Sequence, residues 1–336
     1  MKKLLTMILA LQCAGAVTLV TLGQARLGQP PLNCDRACLN GLADSYLAAL
    51  VAHDAKRAAI AADAKFTENA QVLPFTGGLW KNATQAPAKF KIYVADPVAG
   101  QIAFMGIMRE LSTAAPPPRG GGAAPSYDRP IQLALRLKVE NRQITEAEHI
   151  IARLNENALA SFEAPNPVFA ATVPQTERLS RELMLVVANS YYDSIVQSDG
   201  DAAPFASDCI RRENGTVTAG GTGPARGGGP RLGCRDQLNT RAMSYIVSID
   251  LRRVWIADEE RGLVLGLSMF RHPYLERTRV ILNPDGTRAT REDTNNPFDT
   301  NNAHIFKIRG GKIHEIEAMG FSSPLNSKNG WSEFLR

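Results

Sequence analysis

The sequence contains the same pattern twice, about 145 residues apart, and this repeat restricts the fold more than any other feature of the chain. Tyr46, in an apolar helical stretch, is followed by "FTENAQ", and Tyr191 is followed at the same interval by "RRENGT". In each half a predicted helix comes first and a run of predicted strands closes the unit. The repeat therefore predicts an internal duplication of an α+β domain.

The element boundaries follow from apolar spacing and turn residues. Residues 38–50 and 177–197 predict the two long helices, and "DAKRAAIAAD" at 54–63 predicts a short helix before the first strand. "VENRQ" predicts a tight hairpin in the first half, at the place where "IRGGKI" stands in the second. Residues 161–175 contain three prolines and predict a linker. The expected domains are residues 34–160 and 176–325.

The first 25 residues have the layout of a secretory signal peptide. Lys2 and Lys3 precede an apolar run that ends in small residues near Ala25. A membrane anchor is the alternative, because the apolar run approaches the length of a span. Cleavage would reduce the formal net charge from +5 to +3. The remaining basic residues are scattered among acidic ones, which argues against a nucleic-acid partner. The expected location is secreted or periplasmic.

Four cysteines remain after such cleavage, and they permit three pairings. We favour Cys34 with Cys38, whose spacing a helix start can bring within reach, and Cys209 with Cys234, which closes a glycine-rich loop. A crosslink of that loop size contributes roughly 3 kcal/mol of stability by chain entropy. A zinc site is the rival, but "CDRAC" lacks the spacing and nearby histidines of common zinc motifs. No metal is expected.

The stretches "SYLAALVAHDAKRAAIAADAKFTENAQ" and "HIFKIRGGKIHEIEAMGF" resemble the nuclear transport factor 2 like superfamily, which includes SnoaL-like polyketide cyclases and ketosteroid isomerases. This resemblance implies two tandem cone-shaped α+β domains. Each would be a bent antiparallel sheet wrapped round a long N-terminal helix, with a pocket between helix and sheet. The superfold carries enzymes, binding modules and assembly domains alike, so the resemblance does not decide the activity.

The resemblance also implies where a reaction centre would lie. In ketosteroid isomerase a tyrosine stabilises the oxyanion and an aspartate of the first strand moves the proton. By motif the tyrosine corresponds to Tyr46 and Tyr191, and the aspartate corresponds to Asn69 and Asn214. An amide cannot act as a general base. Because side chains alternate along a strand, Glu68 is the substitute if the apolar side of that strand faces the pocket.

Other candidates come from single residues. His272 follows the apolar strand "LVLGLSMF" and is a candidate proton carrier. Trp80 either closes the mouth of the first cone or packs under the turn, and it would also suit an aromatic ligand. Arg212 is a ligand contact or a partner of Glu213, and Asn214 is a ligand contact or a turn residue.

Two functions remain open at this stage. The first is an exported, cofactor-independent lyase, dehydratase or isomerase that acts on a small hydrophobic or aromatic compound. The second is a non-catalytic ligand-binding or protein-interaction module of the periplasm or extracellular space. In both cases we expect no cofactor, no nucleic acid and no membrane contact after cleavage. The two cones are expected to pack as an internal pseudo-dimer, with the chain as a monomer.

Overall fold

The structure, a computed structural model, describes residues 34–113, 126–225 and 229–331. The expected signal peptide lies outside these residues. Among the helices of the described residues, none is long and apolar enough to cross a bilayer.

The first half begins with helix α1 (Arg36–Val51), which Asp35 caps by accepting a hydrogen bond from the Cys38 amide. The strands that follow are β1 (Ile60–Glu68), β2 (Gln71–Val72), β3 (Ala83–Gln85), β4 (Lys91–Asp96), β5 (Gln101–Thr113), β6 (Ser126–Glu140) and β7 (Gln143–Arg153), and helix α2 (Leu79–Asn82) lies between β2 and β3. The strands form one sheet with the order β2-β1-β7-β6-β5-β3, and β4 also pairs with β5.

The second half begins with helix α3 (Arg181–Gln197), capped by Ser180. Its sheet has the order β9-β8-β15-β14-β11-β10, and a separate two-stranded sheet pairs β12 with β13. The elements are β8 (Phe205–Glu213), β9 (Thr216–Ala219), α4 (Cys234–Asn239), β10 (Ser248–Asp258), β11 (Leu263–His272), β12 (Thr278–Leu282), β13 (Arg288–Glu292), β14 (Phe298–Arg309) and β15 (Lys312–Ser323). The expected α+β class, with two separate curved sheets, is confirmed.

The two sheets share one strand arrangement, and in one respect it differs from the expectation. Each first strand pairs with the last strand of its half in parallel, β1 with β7 and β8 with β15. All other pairings are antiparallel. The sheets are therefore mixed, whereas purely antiparallel sheets were expected. No hairpin joins β1 to β7, so their directions are not constrained to oppose each other.

The prediction of a short helix at residues 54–63 is wrong. The structure has one 3-10 turn at Ala55–Arg57, and β1 already begins at Ile60. Ile60 pairs with Ile144, and the Ile144 amide donates to the Ala59 carbonyl at 2.7 Å. Pairing with β7 thus overrides the helix propensity of the alanines.

The two closing hairpins are confirmed. Asn141 and Arg142, between β6 and β7, have φ values of 51° and 62°, and Gly310 and Gly311, between β14 and β15, have 54° and 76°. Two consecutive residues with positive φ are typical of the turn that joins two twisted antiparallel strands directly.

The outer faces of the two sheets pack against each other. They share an apolar cluster that includes Ile92 and Met105 from the first sheet and Leu265 and Ile305 from the second. The segment 161–175, expected to be a linker, contributes buried Phe162 and Phe169 to this cluster. The connecting segment therefore packs as part of the core between the halves.

Ion pairs cross this interface in a reciprocal way. Arg36, the first residue of α1, pairs with Asp258, the last residue of β10. Arg181, the first residue of α3, pairs with Asp96, the last residue of β4, at 2.8 Å. Contacts that are repeated with the roles of the two halves exchanged are typical of a two-fold interface.

One carboxylate at the interface is fully enclosed. Glu148 accepts hydrogen bonds from Arg253 of the second sheet at 2.5 and 2.6 Å and from Arg136 of its own sheet at 3.1 Å. All three side chains are at most 3% exposed. Burial alone would raise the pKa of Glu148, but the guanidinium charges of Arg253 and Arg136 hold this pKa below its ordinary value.

Both expected cysteine pairs lie at disulfide distance. The Sγ atoms of Cys34 and Cys38 are 2.00 Å apart, and those of Cys209 and Cys234 are 2.07 Å apart. The first pair precedes and enters α1, and the second ties β8 to α4.

Candidate functional site

A cavity of about 360 Å³ lies inside the second half. Residues of β8, β11, β14 and β15 form most of its wall. The end of α3, the segment before β10 and the residues on either side of the β12–β13 hairpin complete it. The size is within the range of pockets that enclose a small organic molecule. The residues that line it are Ile195, Glu213, Asn214, Met243, Tyr245, Ile246, Phe270, His272, Tyr274, Asn295, Phe298, Thr300, Asn302, His304, Ala318, Met319, Gly320 and Ser322.

Flat rings dominate one part of this wall. His272 stacks on Phe298 with ring centroids 4.4 Å apart and planes within 4°. Tyr245 stacks in the same manner on Tyr274 at 5.7 Å and lies 5.7 Å from His272. The guanidinium of Arg279 lies 4.5 Å from the Tyr245 ring centroid and supports the stack from behind. Such a set of rings can hold a planar apolar ligand by stacking.

Two histidines provide polar groups in the cavity. Burial lowers the pKa of His272 to about 4, and burial together with the Arg211 charge lowers the pKa of His304 to about 3. Both imidazoles are therefore neutral near pH 7. The Tyr192 hydroxyl lies 3.3 Å from His304 Nδ1, whereas His272 Nδ1 is buried without a hydrogen-bond partner in the described structure. An enclosed, unpaired ring nitrogen costs stability unless a ligand or water satisfies it.

A buried arginine lies behind the cavity. Arg211 donates to the Tyr191 hydroxyl at 3.4 Å and pairs with the cavity-lining Glu213 at 3.3 Å. It also contacts the sulfur of Met243. Tyr191 itself is 1% exposed and is not among the lining residues; burial raises its pKa to about 12. The repeated tyrosine thus supports the arginine that holds Glu213 at the cavity wall.

The corresponding region of the first half is filled by side chains. The Tyr46 hydroxyl lies 3.0 Å from His149 Nε2, and His149 Nδ1 lies 3.2 Å from Glu68 Oε2. The same carboxylate oxygen accepts a hydrogen bond from the Leu79 amide at 2.9 Å. Tyr46 and His149 are both 0% exposed, and burial raises the pKa of Tyr46 well above its ordinary value. These contacts link Tyr46, His149, Glu68 and the Leu79 amide in one continuous series of hydrogen bonds.

Helix α2, which follows β2 in the chain, packs over the interior of the first half. Its Leu79 and Trp80 are buried, and the Trp80 ring meets Tyr46 edge-on at 5.1 Å and Phe75 at 5.8 Å. Glu68 contacts the helix start so closely that a Cβ at Gly78 would lie 2.3 Å from its carboxylate. The structure therefore places Trp80 in the packed interior.

Strand register explains the difference between the halves. In the first sheet Glu68 pairs with His149 across β1 and β7, and in the second sheet Glu213 pairs with Ala318 across β8 and β15. A methyl group thus stands where the first half has an imidazole. On the neighbouring strand the reverse holds, because Leu135 faces His149 whereas His304 faces Ala318. The small alanine leaves room for the cavity.

The repeated asparagines have a shared structural role. Asn69 and Asn214 directly follow β1 and β8, each with a φ of 45°, a left-handed conformation that asparagine tolerates. Asn69 exchanges hydrogen bonds with the backbone of Ile151, and Asn214 accepts one from the Gly320 amide. This pairing extends the parallel ladder beyond the last strand residue. Asn214 also lines the cavity, whereas Asn69 lines a separate groove of about 520 Å³.

The remaining candidates separate as follows. His272, Asn214 and the neighbouring Glu213 meet in the cavity. Arg212 is not among the lining residues and pairs with Glu315 of the adjacent strand β15. Sequence reasoning missed Tyr245, Tyr274, Phe298, Asn302 and His304 as cavity residues. The strand alternation of 300, 302 and 304 on β14 is the signal that could have found the last two.

The described residues contain no group of three or more histidine, cysteine or acidic side chains arranged to hold a metal ion. The polar groups of the cavity instead suit hydrogen bonds to an organic ligand, with neutral ring nitrogens and amides beside one carboxylate.

Comparison with known families gives one match. A family model described as a domain of unknown function (DUF8021) matches residues 177–320, which is less than half of the chain. This range contains most of α3 to β15, and with them nearly all of the cavity wall. A search of curated proteins found no match.

Solved structures with low sequence identity match somewhat less than half of this chain. An NTF-2 like protein of unknown function from Burkholderia xenovorans LB400 is 14% identical, covers 46% of this chain and 94% of its own, and gives a TM-score of 0.26. A protein of unknown function with a cystatin-like fold from Methylobium petroleophilum PM1 is 16% identical, with coverages of 45% and 84% and a TM-score of 0.26. SalBIII, described as an epoxide hydrolase/cyclase-like enzyme in pyran ring formation in salinomycin, is 16% identical, with coverages of 42% and 93% and a TM-score of 0.27. These likenesses concern the fold alone.

Proposed function

We propose that the second half of this protein binds a small, planar, hydrophobic or aromatic molecule in its cavity, and that the first half is a closed structural copy. The observation that carries the proposal is the pair of His272 and Phe298, whose rings stack 4.4 Å apart at the cavity wall. The rings favour a flat ligand, and the imidazole of His272 in the cavity wall favours a hydroxyl or carbonyl group on it.

Naphthol and naphthalene test this proposal as matched probes. The wild-type protein should bind naphthol saturably with one site per chain, measured by the fluorescence of the probe. His272→Phe keeps a ring on Phe298 but removes the ring nitrogen. It should weaken naphthol binding about two- to ten-fold, the range of one hydrogen bond, and leave naphthalene binding unchanged. The absence of saturable naphthol binding to the wild type contradicts the proposal.

A cofactor-free lyase, dehydratase or isomerase is the second candidate function. Glu213 favours it, because this carboxylate lines the cavity and is held there by Arg211. A positioned carboxylate beside an enclosed ligand can move a proton to or from carbon. The neutral His272 and His304 are weak bases with pKa values of about 4 and about 3, and they suit hydrogen bonding better than proton removal at neutral pH.

Hydrogen exchange on a probe ketone tests this second candidate. If Glu213 is a general base, the wild type should accelerate deuterium uptake at the carbon beside the carbonyl of α-tetralone in heavy water, followed by NMR. Glu213→Gln should abolish the acceleration while α-tetralone still binds. Binding without any acceleration by the wild type leaves the protein as a binding module and contradicts catalysis by Glu213.

We further infer that the protein is exported and works as a monomer with an internal pseudo-dimer. Support for export comes from the leader-like first 25 residues and from two cysteine pairs at disulfide distance. Support for the pseudo-dimer comes from the reciprocal pairs Arg36–Asp258 and Arg181–Asp96. N-terminal sequencing of the secreted product tests the first inference, and sedimentation tests the second. An uncleaved leader or a stable dimer of the chain would contradict them.

A further inference from the structure

An amide oxygen that accepts no hydrogen bond lies at one end of the second-half cavity. It belongs to Asn302 of β14, which lines the cavity and is only partly buried. The Asn302 Nδ2 group donates to the Thr300 carbonyl at 3.2 Å and to Thr300 Oγ1 at 2.8 Å. No residue in the described part of the chain donates to Asn302 Oδ1. Asn302 therefore brings an open acceptor to the cavity wall.

The orientation of this amide follows from its neighbours. A carbonyl only accepts hydrogen bonds, so the Thr300 carbonyl requires the NH₂ group of Asn302 and turns the amide oxygen the other way. Gly320 of β15 is the register partner of Asn302. A Cβ at Gly320 would overlap with Asn302 Oδ1, so the glycine leaves the space that the oxygen occupies.

A second acceptor lies on the other side of β15. Glu213 is the register partner of Ala318 from the β8 side, as Asn302 is of Gly320 from the β14 side. The Glu213 carboxylate also lines the cavity, and in its ion pair with Arg211 it offers lone pairs only. Ala318 and Gly320 have little or no side chain, so the space above β15 between the two acceptors is open.

A hydroxyl group suits this end of the cavity better than a carbonyl or an ether. Asn302 Oδ1 requires a donor, and a carbonyl or ether oxygen beside it would bring two acceptors together without a proton between them. An ammonium group would also donate, but it would add a positive charge close to the buried Arg211 behind the wall. A neutral donor avoids this cost.

This end of the cavity is remote from His272. Phe298, on which His272 stacks, and Asn302 are four residues apart on β14, which is about 13 Å at the rise of an antiparallel strand. Both ends belong to the same cavity. One polar group of a small ligand does not reach both. A ligand that uses the whole cavity therefore has a flat body with a polar group at each end.

We propose that the cavity takes a planar ligand with two polar ends, and that Asn302 Oδ1 selects a hydroxyl group at the end remote from His272. This inference rests on the proposed binding function and narrows its ligand class to aromatic diols and related compounds with a second hydroxyl. Asn302 is then a residue that determines specificity, with Glu213 as the second acceptor beside it.

Three probes test the inference by fluorescence titration of the full chain: naphthol, the naphthalenediol with hydroxyls at opposite ends of the molecule, and the dimethyl ether of that diol. The diol should bind more tightly than naphthol, by more than the two-fold that its symmetry supplies and by up to about ten-fold. The dimethyl ether has the same flat body but no donor, and it should show no such gain.

Two variants locate the gain at Asn302. Asn302→Leu removes the acceptor and should lower the affinity for the diol to near that for naphthol, while the dimethyl ether binds as before. Gly320→Ala displaces Asn302 Oδ1 and should also reduce the gain. Asn301→Leu is the matched control, because Asn301 is buried outside the cavity on the other face of β14, and it should keep the gain. Thermal unfolding shows whether each variant is folded.

The outcomes separate this inference from the proposed function. Naphthol that does not bind saturably to the wild type contradicts the binding function itself. If naphthol binds, the inference alone is overturned by a diol without any gain or by a dimethyl ether that binds as tightly as the diol. Both comparisons use the wild-type protein and need no variant. Folded Asn302→Leu and Gly320→Ala proteins that keep the full gain would also overturn it.

Discussion

His149 Nδ1 lies 3.2 Å from Glu68 Oε2 in the first half, whereas the same register position of the second half pairs Glu213 with Ala318. This exchange of an imidazole for a methyl group, together with the reverse exchange of Leu135 for His304 on the next strand, accompanies the difference between a filled core and a cavity of about 360 Å³. It also leaves the second carboxylate without the histidine partner of the first. One fold thus carries two different interiors in the described residues, and the cavity lies in the second half.

Removal of the first-half histidine should destabilise the protein. His149→Ala leaves the Tyr46 hydroxyl without its partner and creates an internal void, and we expect a loss of about 2–4 kcal/mol in the free energy of unfolding. Urea denaturation measures it. Gln143→Ala, at the exposed start of the same strand β7, is the control and should cost little. A loss for His149→Ala as small as that of the control would show that the buried contacts contribute nothing.

Removal of the Glu148 charge between the two sheets should destabilise the protein. Glu148→Gln leaves Arg253 buried without its counter-charge and leaves Arg136 with Glu146 alone, so we expect a loss of about 3–5 kcal/mol in the free energy of unfolding. Guanidinium denaturation is the measurement. Asp201→Asn, in the exposed pair with Arg235, should change the midpoint little. Equal effects of the two variants would refute a special role for the buried pair.

The buried cavity histidine His304 should make stability depend on pH in a defined window. Its folded-state pKa of about 3 lies below the ordinary value of 6.5, so the unfolded chain binds a proton that the folded chain excludes. Stability is then lost as pH falls from about 6.5 towards 3. Above pH 6.5 both states leave His304 neutral, so this residue makes stability no longer depend on pH. His304→Phe should reduce the slope of unfolding free energy against pH, between about pH 4 and 6, by up to about 1.4 kcal/mol per pH unit.

A neighbouring ring controls for packing in that experiment. Phe270 stacks on His304 with centroids 5.5 Å apart, and Phe270→Leu removes no titrating group. This variant should lower stability at every pH without changing the slope. A slope that is the same in wild type and His304→Phe would show that His304 already takes up its proton in the folded state.

Much of the fold was predictable because local signals agree with it. The apolar spacing of α1 and α3 and the closing hairpins at Asn141 and Gly310 depend on neighbours in sequence, and the structure has them. The early start of β1 was not predictable, because pairing of Ile60 with Ile144 across the chain overrides local helix propensity.

The candidate site was only partly predictable from the sequence. His272 was found because it follows an apolar strand, and Asn214 because the resemblance aligns it with the aspartate of a known reaction centre. Whether Tyr46 and Glu68 face a cavity depends on His149, about 80 residues further on, and on the burial of Trp80. Such distant side chains decide whether a repeated motif encloses space or fills it, and strand alternation does not report on them.

The most direct test of the account is to give the second half the histidine of the first. Ala318→His places an imidazole opposite Glu213, in the cavity that Ala318 now lines. Naphthol titration of this variant, with thermal unfolding to confirm that it is folded, measures whether the cavity is the binding site. We predict that a folded Ala318→His protein loses saturable naphthol binding by at least ten-fold. A folded variant that binds naphthol as tightly as the wild type would contradict the assignment of the ligand site to the second half.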